Sequence, residues 1–189
     1  MNKAIVALGV AASLLLPASA LGVKPVDKRN AAKECRAERG TDPATREAFR
    51  LKYGTNENKK NAFGKCVSQR TREEAAERRA ARSQAAKDCR AERGTDPAMQ
   101  EAFRQKYGTN PNKRNAFGKC VSTHAKEIAQ QEDSQDMAVI EATKNAAKEC
   151  DAERGDTPES EAAFQEQYGT NRNKKNAFGK CVSAKAHES

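Results

Sequence analysis

Tryptophan is absent from this chain of 189 residues, histidine occurs only twice, and hydrophobic residues make up only 37% of the sequence. So low an apolar content does not favour one large hydrophobic core, although the mixed charge also argues against a wholly disordered chain. The six Phe and three Tyr residues are not scattered, because all of them fall in three equivalent stretches. This distribution indicates several small cores rather than one large core.

The sequence also lacks, after residue 20, any apolar stretch that approaches the roughly 20 residues needed to cross a bilayer. Residues 1–20 have the pattern of a secretory signal peptide. Lys3 supplies the positive charge, residues 4–16 form an apolar run, and residues 18–20 (Ala-Ser-Ala) form a small-residue cleavage site. An uncleaved N-terminal anchor is the alternative, but the apolar run is short for it. We therefore predict export and a secreted or extracellular-surface location.

Six cysteines in an exported chain indicate disulfides, and their spacing indicates how they pair. Each of three successive cysteine pairs is separated by 31 residues. Six cysteines allow fifteen connectivities, but only pairing within each stretch repeats the same geometry three times. Closing such a loop stabilises a small fold by roughly 3–4 kcal/mol in the chain-entropy model. The predicted disulfides are Cys35–Cys66, Cys89–Cys120 and Cys150–Cys181.

The sequence consists largely of three copies of one unit. The first copy spans residues 31–68, the second 85–122 and the third 146–183, with no insertion inside any copy. The connecting segments 69–84 and 123–145 differ in length by seven residues, so the variation is confined to the joints. A unit of this size rarely has a sufficient core of its own. The predicted fold is all-α, with three tandem small disulfide-stapled helical modules joined by helical linkers.

Each copy is predicted to contain three helices. In the first copy the first helix ends at Gly40. Asp42 then caps the second helix, which has Pro43 at its first position and ends at Gly54. For the third helix the predicted caps in the three copies are Asn56, Asn110 and Asn171. The predicted core residues, whose chemistry is the same in all copies, are Phe49, Tyr53, Phe63 and Val67 of the first copy.

Both connecting segments are predicted to be helical. Residues 69–84 are rich in Ala, Arg and Glu and contain no Gly or Pro, so the last helix of one copy continues into the next copy. The second connection is longer by almost two full turns. Two continuous linkers would set the three copies along one rod. The longer second linker would displace the third copy by about 10 Å but leave it facing nearly the way a 16-residue linker would set it. A flexible linker is the alternative.

Residues that carry catalysis or bind metals are scarce. Both histidines, His124 and His187, lie outside the three copies, and the cysteines are committed to disulfides. A 31-residue separation is unlike the closely spaced pair of a redox site, and two cysteines without histidine make a poor zinc site. The Asn-rich turn 54–61 lacks the alternating carboxylates of a calcium loop. We therefore predict no enzyme activity, no cofactor and no metal site.

A basic patch is the remaining candidate for a binding site. The first two copies each carry a net charge of +4 and the third −1, yet the turn and the start of the third helix are basic in every copy. Free N–H groups at a helix start attract anions, and three such sites would bind a polyanion by avidity. The candidate anion-binding residues are Lys59, Lys60, Lys65, Lys113, Arg114, Lys119, Lys174, Lys175 and Lys180. A basic surface that serves only solubility is the alternative.

The motif YGTNxNKxNAFGKCVS, with Cys-x-Ala-Glu-Arg upstream, occurs in all three copies. Through this motif the chain resembles uncharacterised secreted bacterial repeat proteins, and the resemblance covers the copies and the signal peptide. The resemblance implies an exported protein and no particular activity. The predicted function is therefore that of a non-enzymatic, secreted or surface-associated protein whose partner is an anionic cell-envelope polymer. The alternatives are extracellular, non-specific nucleic-acid binding and a ligand-free structural spacer.

Overall fold

A computed structural model describes residues 22–188 of the chain. Over this range it contains helices and no strand, which confirms the predicted all-α fold. The predicted signal peptide, residues 1–20, lies outside the described residues. The helices are α1 (Pro25–Arg39), α2 (Pro43–Tyr53), α3 (Ala62–Arg93), α4 (Pro97–Tyr107), α5 (Ala116–Arg154), α6 (Pro158–Tyr168) and α7 (Ala177–Glu188).

The second helix of each copy begins where the sequence provides a cap. In the first copy the Asp42 carboxylate accepts hydrogen bonds from the backbone N–H groups of Ala44, at 2.9 Å, and Thr45, at 3.3 Å. Pro43 follows the cap, where its fixed φ suits the first turn and its missing N–H leaves nothing unsatisfied. Asp96 caps α4 in the same way, whereas Thr157 caps α6 by accepting a hydrogen bond from the Ser160 N–H at 3.1 Å.

The start of α3 differs from the prediction, because Asn56 does not cap it. The Asn56 carbonyl instead accepts a hydrogen bond from the Lys59 N–H at 3.1 Å, which closes a turn, and α3 begins six residues after Asn56. The Asn61 side chain folds back over this turn, and its Oδ1 accepts a hydrogen bond from the Thr55 N–H at 3.1 Å. The other copies have the same turn, so the prediction is also wrong for Asn110 and Asn171.

Both connecting segments are helical, as predicted. Residues 69–84 lie within α3, and residues 123–145 lie within α5. Each of these two helices therefore contains the last helix of one copy, a linker and the first helix of the next copy. Their lengths of 32 and 39 residues correspond to about 48 Å and about 58 Å.

The long helices do not line up as a rod, so that expectation is wrong. Instead α1 packs against α3, α3 against α5 and α5 against α7. The neighbours are antiparallel: Asp27, near the start of α1, forms an ion pair with Arg78, well along α3. Arg70, near the start of α3, lies 3.8 Å from Asp136 in the middle of α5. The chain thus reverses direction at each copy.

The linker helices pack side by side because each of them presents a narrow apolar stripe. On α3 the side chains of Ala75 and Ala81 are buried, and on α5 that of Ile140 is buried. Packing these stripes against a neighbouring helix removes them from water, which a straight rod would not do. The fold-back brings the first and third copies together at one end of the molecule. There the Arg154 guanidinium donates hydrogen bonds to both carboxylate oxygens of Glu47, at 3.0 and 3.2 Å.

Each copy has a small core around its disulfide. The three predicted pairings are confirmed, and the two Cα atoms of each bridge are 6.0 Å apart. In the first copy Phe49 and Tyr53 are buried beside the bridge, and Phe63 and Val67 pack against them. The core of the third copy extends onto α2 of the first copy, whereas the core of the second copy stands apart.

Candidate functional site

The basic positions that the sequence indicates divide into structural and exposed residues. Lys59 has a left-handed backbone conformation, with φ +55°, and its Nζ donates a hydrogen bond to the Gly54 carbonyl at 3.0 Å. This ammonium group satisfies a carbonyl at the C-terminal end of α2, where the helix dipole also favours positive charge. The residues that make the same contact in the other copies are Lys113 and Lys174. These three lysines stabilise the turn itself.

The other six basic positions face solvent. Lys60 and Lys65 are exposed in the first copy. The equivalent exposed residues in the other copies are Arg114, Lys119, Lys175 and Lys180. Between Lys60 and Lys65 lies the first turn of α3, to which Asn61 makes no capping hydrogen bond. The backbone N–H groups of this first turn and the ammonium groups of Lys60 and Lys65 therefore present positive charge to an approaching anion.

The fold-back sets two of the three basic turns around one groove. This groove, of about 1140 Å³, runs between the first and third copies. Seven basic residues line it against three acidic residues. The seven are Lys52, Lys59, Lys144, Arg154, Lys174, Lys175 and Lys180. Apolar side chains also face the groove, among them Leu51, Val139 and Phe178.

The basic turn of the second copy lies at the opposite end of the molecule. Cys66 and Cys89, which mark the first and second copies on α3, are 23 residues apart, or about 35 Å along the helix axis. The protein therefore presents two cationic regions, a groove with two turns at one end and a single turn at the other.

A polar contact that the sequence analysis missed recurs in every copy. The Tyr53 hydroxyl donates a hydrogen bond to Glu38 Oε2 at 2.8 Å, and Lys52 Nζ lies 2.6 Å from Glu38 Oε1. Arg70 reaches the same carboxylate from α3 at 3.4 Å. The equivalent pairs are Tyr107–Glu92 and Tyr168–Glu153. The signal was present in the sequence, because the glutamate and the tyrosine are 15 residues apart in every copy.

This contact links the ends of the first two helices in each copy. Burial and the negative charge of Glu38 raise the pKa of the Tyr53 hydroxyl, so the hydroxyl keeps its proton and remains a donor. Burial opposes the charge of Lys52, but the Glu38 carboxylate outweighs this effect and raises the pKa of the Lys52 ammonium. A tyrosine that keeps its proton and a lysine that keeps its charge make a static contact rather than a proton-transfer pair.

His124 lies beside the disulfide of the second copy. Its Nε2 is 3.2 Å from the Tyr107 hydroxyl, at the position that Arg70 occupies in the first copy. The sulfur atoms of Cys89 and Cys120 are near enough to share a metal ion with this imidazole. They are joined to each other, however, and a disulfide sulfur is not the thiolate that zinc requires.

A carboxylate cluster, also missed in the sequence, lies where α1, α3 and α5 pack together. Oxygen atoms of Glu34, Glu74 and Asp133 lie within 4.8 Å of one another. Burial and the neighbouring Glu34 raise the pKa of Glu74 to about 8. Burial and the negative charge of Asp136 raise the pKa of Glu77 to about 7. Both linkers contain several acidic residues in the sequence, but only the packing of α3 on α5 brings Glu74 and Asp133 together.

Comparisons of the chain with protein-family models, with curated proteins and with solved structures find no match. The resemblance to secreted bacterial repeat proteins therefore stays a prediction from the motif. Between residues 22 and 188, no helix combines the length and the apolar character that a membrane crossing requires.

Proposed function

We propose that the protein is a secreted or surface-associated, non-enzymatic repeat protein that binds an anionic polymer of the cell envelope. The groove between the first and third copies carries this proposal. It gathers two basic turns, represented by Lys59 and Lys174, that are 115 residues apart in the sequence. A ligand laid along the groove contacts both turns at once, so weak individual contacts combine into stronger binding.

The distance between the cationic regions favours a polymer over a small anion. A single phosphate or carboxylate occupies one turn and gains nothing from the others. A chain with repeated negative charges spans the groove, and a long chain also reaches the second copy, about 35 Å away along α3.

The apolar side chains of the groove favour a polymer with a carbon skeleton. Leu51 is 37% exposed and Val139 is 58% exposed, and both face the groove. Sugar or glycerol units between the anionic groups would cover these side chains and remove them from water. Inorganic polyphosphate would leave them exposed.

Nucleic acid is a weaker candidate, because the aromatic rings are not free to stack on bases. Phe49, Phe103 and Phe164 are buried. The half-buried rings of Phe63 and Phe117 have arginine guanidinium groups over them at 5.3 to 5.7 Å. Binding to DNA would therefore depend on phosphate contacts alone, which are sequence-independent and strongly weakened by salt.

Export is the remaining part of the proposal. The signal-peptide pattern of residues 1–20 supports it, and so do the three disulfides, since such bridges persist in oxidising compartments.

The experiment is a salt titration of the oxidised protein on isolated bacterial cell envelope, with double-stranded DNA as the comparator. We expect retention on the envelope at about 50 mM salt, at least a tenfold loss of affinity by about 200 mM, and weaker retention on DNA. A triple variant reverses one exposed charge in each turn: Lys60→Glu, Arg114→Glu and Lys175→Glu.

A matched control variant makes the same charge change at exposed positions outside the turns: Arg82→Glu, Lys87→Glu and Lys126→Glu. We expect the turn variant to lose envelope binding at least tenfold, and the control to keep most of it. Equal losses in both variants would reduce the effect to net charge and contradict a site in the turns. No retention at low salt would remove the polyanion proposal altogether.

A further inference from the structure

The two linkers bring acidic faces together in the middle of the helical stack. Glu74 and Glu77 of α3 lie close to Asp133 and Asp136 of α5, and each of these α5 residues also acts electrostatically on Glu34 of α1. Like charges at such distances repel one another, so one of them must take up a proton or the cluster must hold a positive charge. The packing of three helices around this cluster therefore requires either a bound proton or a cation at this position.

Arg70 supplies only part of the positive charge that the cluster requires. Its guanidinium lies 3.2 Å from Glu34, 3.4 Å from Glu38 and 3.8 Å from Asp136, so one charge is divided among three carboxylates. Glu74 receives a hydrogen bond from the neutral amide of Asn30 at 3.2 Å, which adds no charge.

The Glu74 carboxylate shows most directly that the cluster needs a further partner. The residue is only 8% exposed, and its Oε1 has no hydrogen-bond donor among residues 22–188. A buried carboxylate oxygen without a partner is strongly unfavourable. One oxygen atom each of Glu34, Glu74 and Asp133 lie within 4.8 Å of one another, so the carboxylate that carries the unsatisfied atom belongs to a group of three converging ligands.

We propose that Glu34, Glu74 and Asp133 bind a hard divalent cation, and that this cation is Ca²⁺. Ca²⁺ binds oxygen ligands at about 2.3–2.6 Å, so two of its ligands can be as much as about 5 Å apart. The group of three carboxylates fits within that span. Ca²⁺ also accepts irregular geometry and completes its shell with water, whereas Mg²⁺ demands a near-ideal octahedron.

The surroundings allow an ion to enter and limit how tightly it binds. Asp133 is exposed, so the cluster opens to solvent on the α5 side. Arg70 lies 3.2 Å from Glu34 and 3.8 Å from Asp136, and its charge weakens the binding of a second cation. We therefore expect a dissociation constant of about 10⁻⁴–10⁻³ M, as in weak extracellular calcium sites.

The bound ion joins α1, α3 and α5, the three helices whose packing makes the chain fold back. The site is separate from the basic turns, and the proposal does not depend on polymer binding. Its consequence is that Ca²⁺ stabilises the arrangement in which the first and third copies meet.

The test measures thermal unfolding of the oxidised full chain by circular dichroism in EDTA, in CaCl₂ and in MgCl₂ at equal ionic strength. We expect 5 mM CaCl₂ to raise the Tm by about 4 °C and MgCl₂ to raise it by less than half as much. Titration calorimetry with CaCl₂ should give one ion per chain.

Three variants separate ion binding from general stability. Asp133→Asn changes an exposed ligand, and we expect it to lower the Ca²⁺ affinity at least tenfold with little change of the Tm in EDTA. Glu74→Gln keeps the size of a buried ligand but removes its carboxylate, so its Tm in EDTA should not fall while its response to Ca²⁺ disappears. Glu127→Gln alters an exposed acid elsewhere on α5 and should respond to Ca²⁺ as the unmodified chain does.

Two outcomes would overturn the proposal. An equal Tm in EDTA and in CaCl₂, with no heat of binding, would mean that a proton shared by Glu34 and Glu74 or a buried water fills the cluster. A Ca²⁺ response that persists in both Glu74→Gln and Asp133→Asn would locate the ion elsewhere on the chain.

Discussion

The hydroxyl of Tyr53 donates a 2.8 Å hydrogen bond to the carboxylate of Glu38, and so ties the end of α2 to the end of α1. The bond is buried in the first copy, whereas the equivalent bond of the third copy, from Tyr168 to Glu153, is exposed. The same pair of residues is thus placed in two different environments by the packing of the copies.

Removing this hydroxyl should lower the free energy of unfolding more in the first copy than in the third. Tyr53→Phe leaves the buried Glu38 carboxylate with one donor fewer, and we expect a loss of about 1–2 kcal/mol in the free energy of unfolding. Tyr168→Phe exposes its partner to water, which replaces the donor, so the loss should be about 0.5 kcal/mol or less. Urea unfolding of both variants measures this difference. Equal decreases in the two variants would mean that burial does not control how much this hydrogen bond contributes to stability.

The second copy should depend on its disulfide more than the first copy does. Its helix α4 packs against α3 and α5 and buries Phe103, whereas α2 of the first copy also packs against α7 and buries five residues. Replacing Cys89 and Cys120 by Ala removes a constraint worth about 3–4 kcal/mol. We expect amide exchange to become fast across α4. The matched variant, with Cys35 and Cys66 replaced by Ala, should keep more protection in α2, and the reverse order would contradict this prediction.

Alanine substitutions at Gly40 and at Gly64 should change the free energy of unfolding in opposite directions. Gly40 has φ +57°, and a Cβ there would lie 2.7 Å from Thr45 Oγ1. Gly40→Ala should therefore lower the free energy of unfolding by about 1–3 kcal/mol. Gly64 lies inside α3, and a Cβ added there would meet no atom of a neighbouring side chain within 4 Å, so Gly64→Ala should stabilise the protein by about 0.5–1 kcal/mol. Chemical unfolding of both variants provides the measurement, and a stabilising Gly40→Ala would contradict the turn geometry.

The Asp27–Arg78 ion pair should make part of the stability dependent on acid pH. Arg78 donates to both Asp27 oxygens, at 2.9 and 3.1 Å, and these hydrogen bonds lower the pKa of the buried Asp27 carboxyl. The folded state then binds fewer protons than the unfolded state near the folded pKa. The stabilisation is present above the unfolded value of about 4 and is lost as the pH falls through the folded pKa.

Asp27→Asn tests this relationship. We expect it to cost about 1–2 kcal/mol at pH 7 and progressively less as the pH falls below about 4. Asp156→Asn, at an exposed position, serves as the control and should have little effect at either pH. Urea unfolding at several pH values follows the difference, and a constant cost at all pH values would contradict the assigned role of the carboxylate.

The fold-back predicts a short molecule. The longest helix, α5, has 39 residues and measures about 58 Å, and the other helices lie alongside it. We expect small-angle scattering to give a maximum dimension of about 70 Å. If α3 and α5 followed one another in a rod, their summed length alone would exceed about 100 Å.

The local features of the fold could be predicted from the sequence because they depend on neighbouring residues. Asp42 and Pro43 start α2 through interactions within one turn of helix. The cysteine spacing of 31 residues occurs three times, and only pairing within each copy gives all three copies the same disulfide. The cap assigned to Asn56 failed because a turn closed by Lys59 comes between it and the helix, and Lys59 adopts a left-handed conformation that is uncommon for lysine.

The candidate sites, in contrast, depended on contacts between distant parts of the chain. Lys59 and Lys175 meet around one groove only because α5 returns along α3, and Glu74 meets Asp133 for the same reason. A helical linker of given length fixes the separation of two copies along its axis, but it does not fix whether the next helix continues or reverses. The reversal takes place inside each copy, where a disulfide such as Cys35–Cys66 joins α1 to the antiparallel α3. Burial of narrow stripes such as Ala75 and Ile140 then holds the returning helices together, and this effect appears only once the helices are packed.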